Sequence, residues 1–294
     1  MKSGKAGEDP KLIRAAELKR VSFIFLDGFD AALTAEGGKI ERDIDKLPQI
    51  DRGVAFEGAA AAKAVRDLSA ENFSTSQTSS LLVESNQYSF LMLLGIGEAL
   101  AQLKMPPQIC NAFANENWSG QIIEGYGFFD GYFNWHEAVI KQRYPDGLGP
   151  ELMAAYNQGI GRALFFITNG NPQQIRDLIV TFDPVRRAEL WAGVGLPTAY
   201  IGGHTERELK RLVDLADKYR AEFMQGIMLG ASARNQQSYI PEHTELAASV
   251  VYGSSALKAV DFTNNLTKLV LERESHTMHD WQHLVRRELR RDAC

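Results

Sequence analysis

GYGFFDGYFNW, residues 125–135, carries two glycines four positions apart, Gly127 and Gly131, inside an apolar stretch. GIGRALFFI, residues 159–167, has the same spacing in Gly159 and Ala163. Residues at positions i and i+4 lie on one face of a helix, so small side chains there let a neighbouring helix approach closely. These two segments therefore predict tightly packed helices.

The same pair of small residues returns along the chain about every 33 residues. A fixed period in this range is typical of stacked helical hairpins. No alternation of β-branched residues bounded by hairpin turns is present. We predict an all-α fold of stacked helical hairpins, solenoid-like or curled around a central pocket. The further copies are Gly95/Ala99, Gly193/Pro197, Gly226/Gly230 and, more weakly, Gly58/Ala62.

Polar segments with glycine and proline divide the chain, and they predict its domain organisation. Residues 1–10 are predicted to be a disordered lead-in and residues 11–294 a single all-α domain. The first helix is predicted to break near Asp27-Gly28, and residues 34–53 and 71–80 to be polar connections. A central helix is predicted over 119–142, and a C-terminal capping helix over 256–291. Repeat copies are predicted to start near residues 54, 86, 119, 150, 184 and 221.

Composition restricts the class of protein. With 45% hydrophobic residues the chain forms a core, and its net charge of −5 argues against a nucleic-acid partner. No segment has the length of about 18 apolar residues that a membrane span needs. The N-terminus lacks a secretory apolar run, and two cysteines do not make a disulfide framework. We therefore expect a cytoplasmic protein without a membrane span.

The register of the repeats places three charged residues at equivalent positions. Glu98, Asp130 and Arg162 each follow the first small residue of a copy by three positions. Parallel stacking would bring them into one buried column, and burial raises the pKa of a carboxyl group. Arg162 would compensate Asp130 and leave Glu98 as the less compensated acid. The three residues are candidate catalytic residues, or a structural ion pair that fixes the helix register.

Aromatic residues are dense around this column. An aromatic stripe usually belongs to the core, but one helix cannot bury its whole circumference unless it is central. Some of these rings are therefore candidates for the wall of a cavity, where they stabilise cations. The candidate substrate-binding residues are Tyr126, Phe128, Tyr132, Trp135, Phe166, Trp191 and Tyr200.

Other motifs add no chemistry. The chain has no Gly-x-Ser-x-Gly elbow, phosphate loop, His-Glu-x-x-His or aspartate-rich motif of diphosphate-ionising terpene synthases. His276, His279 and His283 share a helix face, but the surrounding Arg and Glu residues indicate a solvated face. We predict no metal site, and no cofactor is evident.

Several ordered segments carry a resemblance. GYGFFDGYFNW, GIGRALFFI, RRAELWAGVGLPTAYIGG and PEHTELA resemble an uncharacterised bacterial family, with RVSFIFLDGFDAAL and FEGAA as its front end. Its members accompany gene clusters for enediyne polyketides and related specialised metabolites. The family's function is unknown, so no catalytic residue is carried over. The resemblance implies cytoplasmic work on a hydrophobic, unsaturated biosynthetic intermediate.

Two classes of function follow. The first is an enzyme of specialised metabolism that cyclises or isomerises a polyene, polyketide or isoprenoid, with Glu98 or Asp130 as the acid and Arg162 as its orienting partner. The alternative is a helical-repeat scaffold, or a carrier that only holds the intermediate. An enclosed cavity with the charged column on its wall favours the enzyme, and an open groove favours the scaffold. The sequence leaves open whether the protein forms homo-oligomers.

Overall fold

A computed structural model describes residues 10–34, 40–114, 118–272 and 277–291. Within these ranges the regular structure is helical and contains no strand, which confirms the all-α prediction. Short 3₁₀ turns lie at Asn86–Tyr88, Pro107–Ala112 and Asp217–Tyr219, and a π turn at His136–Ile140. The α-helices are α1 (Pro10–Thr34), α2 (Ile40–Ile44), α3 (Gln49–Ser69), α4 (Ser76–Glu84), α5 (Ser89–Gln102), α6 (Ser119–Phe133), α7 (Pro150–Ile167), α8 (Pro172–Ile179), α9 (Pro184–Tyr200), α10 (Glu206–Ala216), α11 (Arg220–Gln236), α12 (Glu242–Tyr252), α13 (Ala256–Leu271) and α14 (Met278–Arg291).

The long helices pack against each other in chain order. Helix α3 lies between α1 and α5, α6 between α5 and α7, and α9 between α7 and α11. The shorter helices α4, α8, α10 and α12 lie beside this row. Because each inner helix of this row has a neighbour on two sides, its apolar residues are buried around most of its circumference. Helix α5, for example, is buried from Phe90 to Ala101.

Glycines set the spacing between neighbouring helices. A Cβ atom on Gly95 would overlap the backbone carbonyl of Glu57 in α3, and one on Gly97 would overlap that of Ile122 in α6. In α7, Gly159 meets the carbonyl of Glu124 on one side, and Gly161 meets α9 on the other. Each glycine lowers helix propensity by about 1 kcal/mol relative to alanine, so the close approach of the backbones has to offset that cost.

The motif that matters for packing is therefore Gly-x-Gly, with one glycine for each neighbour. The four-residue spacing acts on a single neighbour, since Gly127 and Gly131 both face α7. The period of about 33 residues stays a prediction, because the helices that carry these glycines begin at unequal intervals.

The row of helices curls, so that its early and late members meet. Gln49, at the start of α3, donates from Nε2 to the carbonyl of Gln237 at 2.9 Å, just after α11. Arg234 in α11 donates from Nη1 to the carbonyl of Ile50 at 2.7 Å. The side chain of Arg162 in α7 also reaches α3, where it bonds Glu57. This curling brings one face of α3, α5, α6 and α7 toward a shared interior.

Several predicted helix boundaries are wrong. Helix α1 runs through Asp27-Gly28 without a break, because Gly28 packs directly on the backbone of Ala55 in α3. The predicted connection 34–53 contains α2 and the first turn of α3, and the connection 71–80 contains the start of α4.

The ends of two further predicted helices also differ. The central helix ends at Phe133 and not at residue 142, since a π turn follows it. The C-terminal segment forms two helices, α13 and α14; Thr277 and Asp280 cap the second by exchanging hydrogen bonds between side chain and backbone. The predicted lead-in lies outside the described residues except for Pro10, which begins α1.

No helix in the described part of the chain is both long and apolar enough to cross a membrane.

Candidate functional site

A pocket opens between α1 and the C-terminal halves of α6 and α7. Its volume is about 200 Å³. This is below the roughly 300 Å³ at which pockets begin to enclose a whole drug-sized ligand, so the pocket suits the end of a longer molecule. Its lining residues are Val21, Ser22, Phe25, Leu26, Val54, Glu57, Glu98, Phe128, Tyr132, Phe133, Arg162 and Phe166.

The mouth of this pocket is apolar and exposed. Leu26, Tyr132 and Phe133 line the pocket and are 51%, 40% and 62% exposed. Further in, Val54 and Phe128 are buried. An apolar molecule entering here would lose contact with water along its whole inserted length, and this burial would drive its binding.

The inner end of the pocket is charged. The guanidinium of Arg162 bonds the carboxylate of Glu57 through Nη2, and the same nitrogen lies 3.8 Å from Oε1 of Glu98. All three side chains are at least nine-tenths buried. A buried charge is stable only when it is paired, so one arginine between two glutamates favours one carboxylate and one neutral carboxyl group.

The aromatic rings on the pocket wall form a connected group around Phe128. The guanidinium carbon of Arg162 lies 4.2 Å from the centre of the Phe128 ring, a cation–π contact. Phe128 in turn meets Phe166 edge-on at 5.1 Å and stacks with Tyr132 at 5.9 Å between ring centres. These contacts hold Arg162 at the inner end of the pocket, and Phe128, Tyr132 and Phe166 all line its wall.

The surroundings of Glu98 favour its neutral form. Burial raises the pKa of Glu98 well above its ordinary value. The negative charge of Glu57 and a hydrogen bond with that carboxylate raise the pKa further, while Arg162 lowers it. Desolvation and the neighbouring carboxylate thus outweigh the attraction of Arg162, and Glu98 holds a proton under conditions in which an exposed glutamate is ionised.

A third carboxyl group belongs to the same cluster. Burial raises the pKa of Glu124 in α6 to about 7. The positive charge of Arg162 lowers this pKa and the negative charge of Glu57 raises it, so Glu124 lies within electrostatic reach of both. This cluster therefore comprises three glutamates and one arginine, contributed by α3, α5, α6 and α7.

Two polar atoms of this cluster are unsatisfied. Oε1 of Glu98 and Nη1 of Arg162 are buried, and neither has a hydrogen-bond partner among the described residues. A buried polar group without a partner typically costs about 1–3 kcal/mol. Such a cost is expected at functional sites, where the missing partner is supplied by another molecule.

Asp130 does not join Arg162, which corrects the predicted pairing. Its carboxylate accepts hydrogen bonds at 3.0 Å from the hydroxyl of Tyr156 and from Nδ2 of Asn134. The Arg162 side chain instead crosses to α3, where Glu57 is more deeply buried and has the greater need of a counter-charge. Of the predicted column, Glu98 and Arg162 come together at the pocket, and Asp130 is not among the residues that line it.

The predicted aromatic residues fall into two groups. Phe128, Tyr132 and Phe166 line the pocket. The other four do not: Tyr126 bonds the carbonyl of Met105, Trp135 is exposed, Trp191 packs on Phe223, and Tyr200 bonds Gln237 within the core.

The sequence reasoning missed Glu57, Glu124 and the contribution of α1. Glu57 and Glu124 each directly precede a glycine that packs on a neighbouring helix, Gly58 and Gly125. Both glutamates could therefore have been identified in the sequence as carboxylates that stand next to a packing glycine. No sequence pattern marks the α1 residues that line the pocket, because their position depends on how α1 packs across the other helices.

These features define the class of the protein: an all-α protein with a cluster of carboxyl groups and one arginine buried at the end of an apolar, aromatic-walled pocket. Residues 6–289 match the family described as “Protein of unknown function (DUF1702)”, and the chain belongs to this family. This confirms the part of the resemblance that assigned the chain to a family of unknown function. No curated protein and no solved structure matches the chain.

Proposed function

We propose that this protein is an enzyme of specialised metabolism that starts the cyclisation or isomerisation of a polyene, polyketide or isoprenoid by protonating it. The single observation that carries this proposal is the burial of Glu98 beside Glu57 at the inner end of an apolar pocket, which raises the pKa of Glu98 well above its ordinary value. A proton donor in an apolar site is what the protonation of a hydrocarbon double bond requires.

The proposed step begins with the proton of Glu98. The π electrons of a substrate double bond form a new C–H bond with this proton, and its O–H bond electrons stay on the carboxylate. In cyclisation, a second double bond then attacks the carbocation and forms a C–C bond. In isomerisation, the former double bond rotates as a single bond. Loss of a proton from a neighbouring carbon to the Glu57/Glu98 pair gives the neutral product and restores the acid.

The charges of the cluster favour this sequence. Before the transfer, Glu57 and Arg162 compensate each other and Glu98 is neutral. After it, the cluster carries one additional negative charge at a site of low dielectric constant, next to a positive substrate. The Tyr132 and Phe166 rings, which also line the pocket, offer further stabilisation of the cation. Arg162 is a positioning residue in this scheme, since its bond to Glu57 fixes the carboxylate beside Glu98.

The substrate class and setting come from the pocket and the resemblance together. The pocket accepts the end of a long apolar molecule and leaves its remainder outside, as expected for a linear unsaturated chain. The resemblance supports a place in enediyne-type or related specialised metabolism, and we propose a cytoplasmic reaction. Asp130 has no role in the protonation because Tyr156 and Asn134 hold it outside the pocket lining.

Deuterium incorporation tests the proposal. The purified protein is incubated in D₂O with squalene and with linear conjugated polyenes, and products are examined by mass spectrometry. Because the Glu57/Glu98 pair exchanges its proton with D₂O while the pocket is open between turnovers, we expect one new C–D bond per turnover, and a loss of at least about a hundredfold in Glu98→Gln. Asp130→Asn serves as the matched carboxylate control and should retain the activity. Incorporation at the wild-type rate in Glu98→Gln would refute the proposal, and binding of the probes without incorporation would identify a carrier.

A further inference from the structure

A second, smaller pocket lies along the N-terminal halves of α6 and α7, beneath α14. Its volume is about 30 Å³, which exceeds the roughly 10–15 Å³ that a water molecule needs. Its wall combines polar and apolar surface, and the polar side chains on it include Ser119, Gln121, Glu124, Gln158 and Gln282. Oε1 of Gln121 is buried there without a hydrogen-bond partner among the described residues. A cavity of this size with several polar side chains and an unsatisfied oxygen on its wall suits water.

Glu124 connects this small pocket to the charged cluster. Its side chain lines the small pocket, and its charge interacts with Arg162 and Glu57, which line the large one. The two pockets lie at opposite ends of the same pair of helices, which pack so closely that Gly159 touches the carbonyl of Glu124. At the outer end, the small pocket is bordered by the exposed Glu151 and the half-buried His279.

In the proposed reaction the proton lost by the substrate returns to the Glu57/Glu98 pair, and a connection to solvent would let this pair exchange protons while the substrate is bound. When an apolar substrate fills the large pocket, water cannot reach Glu98 through the mouth. Exchange of protons between Glu98 and solvent during a reaction then requires a second route. Glu124 is the carboxyl group of the cluster that also reaches the small pocket.

Building on the proposed function, we propose that Glu124 relays protons between water in the small pocket and the Glu57/Glu98 pair while substrate fills the large pocket. In the forward direction Glu124 takes a proton from a hydronium ion delivered through the small pocket; one O–H bond breaks as the carboxyl O–H bond forms, and a neutral water molecule remains. It then passes a proton to the carboxylate pair and returns to its ionised form. Arg162 keeps its protons throughout and faces Glu124 as the positive charge that stabilises the ionised state.

The pKa of Glu124, about 7, is suited to this role. A relay group has to gain and lose its proton with similar ease near the working pH. The charged groups that shift the pKa of Glu124 are Arg162 from α7 and Glu57 from α3. Glu151 and His279 also lie on the wall of the small pocket.

Infrared spectroscopy tests the relay without any turnover. The carbonyl stretch of protonated Glu98 is assigned by its loss in Glu98→Gln, and its shift on transfer to D₂O gives the rate of proton exchange. Ser22→Phe fills the large pocket from α1, and Val21→Phe is an independent plug. In the plugged protein, adding Glu124→Gln should slow this exchange at least about tenfold. Glu124→Asp should restore it, and Glu151→Gln, on the same small pocket, should leave it unchanged.

Equal exchange rates in the plugged protein with and without Glu124→Gln would overturn the relay alone. A wild-type protein without the Glu98 carbonyl band would overturn the acid role of Glu98, and the relay with it. Slowing in Glu124→Gln that Glu124→Asp does not reverse would assign Glu124 a packing role and would also overturn the relay.

Discussion

Arg162 in α7 bonds Glu57 in α3 across 105 positions of the chain, and both side chains are more than nine-tenths buried. Helices α3 and α7 are not neighbours in the packing order, because α5 and α6 lie between them. The pair therefore joins two separated members of the row, and it does so at the inner end of the pocket. Both the packing of the helices and the proposed protonation therefore depend on the ion pair between Arg162 and Glu57.

Removing one partner of this pair should destabilise the protein strongly. Arg162→Met leaves Glu57 buried without its counter-charge, and we expect a loss of about 3–5 kcal/mol in the free energy of unfolding. The double variant Glu57→Gln/Arg162→Met should lose clearly less than the sum of the single variants, since no charge is stranded. Urea denaturation measures these differences. Lys210→Met, which breaks an exposed pair with Glu206, is the control and should change little. Additive losses would contradict the coupling.

The packing glycines should not tolerate a methyl group. A Cβ on Gly95 or Gly159 would overlap a backbone carbonyl of the neighbouring helix, so the helices would have to separate. Gly95→Ala and Gly159→Ala should each lose about 1–3 kcal/mol, although alanine is the better helix former. Gly120→Ala, also helical, has its nearest neighbour at 3.9 Å and should be neutral or stabilising. A stabilised Gly95→Ala variant, measured by thermal unfolding, would show that the helices are not in contact there.

The helical spacing of small and apolar residues was enough to predict the all-α class and the packing role of the glycines. Small residues and apolar residues at helical spacing are local signals, and Gly127 and Gly159 carry them in the sequence. The boundaries failed where tertiary contacts override local signals. Asp27-Gly28 has the appearance of a helix stop, but the close approach of Ala55 keeps Gly28 inside α1.

The site was predictable only in part, for a geometric reason. The sequence singled out Glu98 and Arg162 because charges in apolar helices stand out. It could not show that the curl of the row brings α3 within reach of the Arg162 side chain, so it paired Arg162 with Asp130 and passed over Glu57. Long side chains reach partners that a register argument, which compares backbone positions, does not include.

Glu124 should make stability depend on pH. Its pKa is about 7 in the folded protein against an ordinary 4.5. Below 4.5 both states are protonated; between 4.5 and 7 the unfolded chain releases this proton first, so the folded state loses relative stability as pH rises. The loss amounts to about 3 kcal/mol and is complete above the folded pKa.

Urea denaturation at a series of pH values checks this dependence. The advantage of Glu124→Gln over the wild type should grow by about 3 kcal/mol across this pH window, because glutamine has no proton to lose. Glu151→Gln, on the exposed side of the same small pocket, is the matched control and should show no such trend. A difference between Glu124→Gln and wild type that stays constant with pH would place Glu124 in a hydrated environment.

The pH dependence of catalysis should report the neighbours of Glu98. If Glu98 is the acid, the rate of deuterium incorporation falls as pH rises through its raised pKa. The negative charge of Glu57 contributes to that raised pKa, so Glu57→Gln removes this contribution and leaves the lowering effect of Arg162 less opposed. The falling limb of the profile, and the titration of the Glu98 carbonyl band, should both move to lower pH. Asp130→Asn should leave both in place, because Asp130 does not contribute to the raised pKa of Glu98. A shift to higher pH in Glu57→Gln would mean that Glu57 acts on Glu98 mainly as a hydrogen-bond partner of its ionised form, and Glu98 would then be a base.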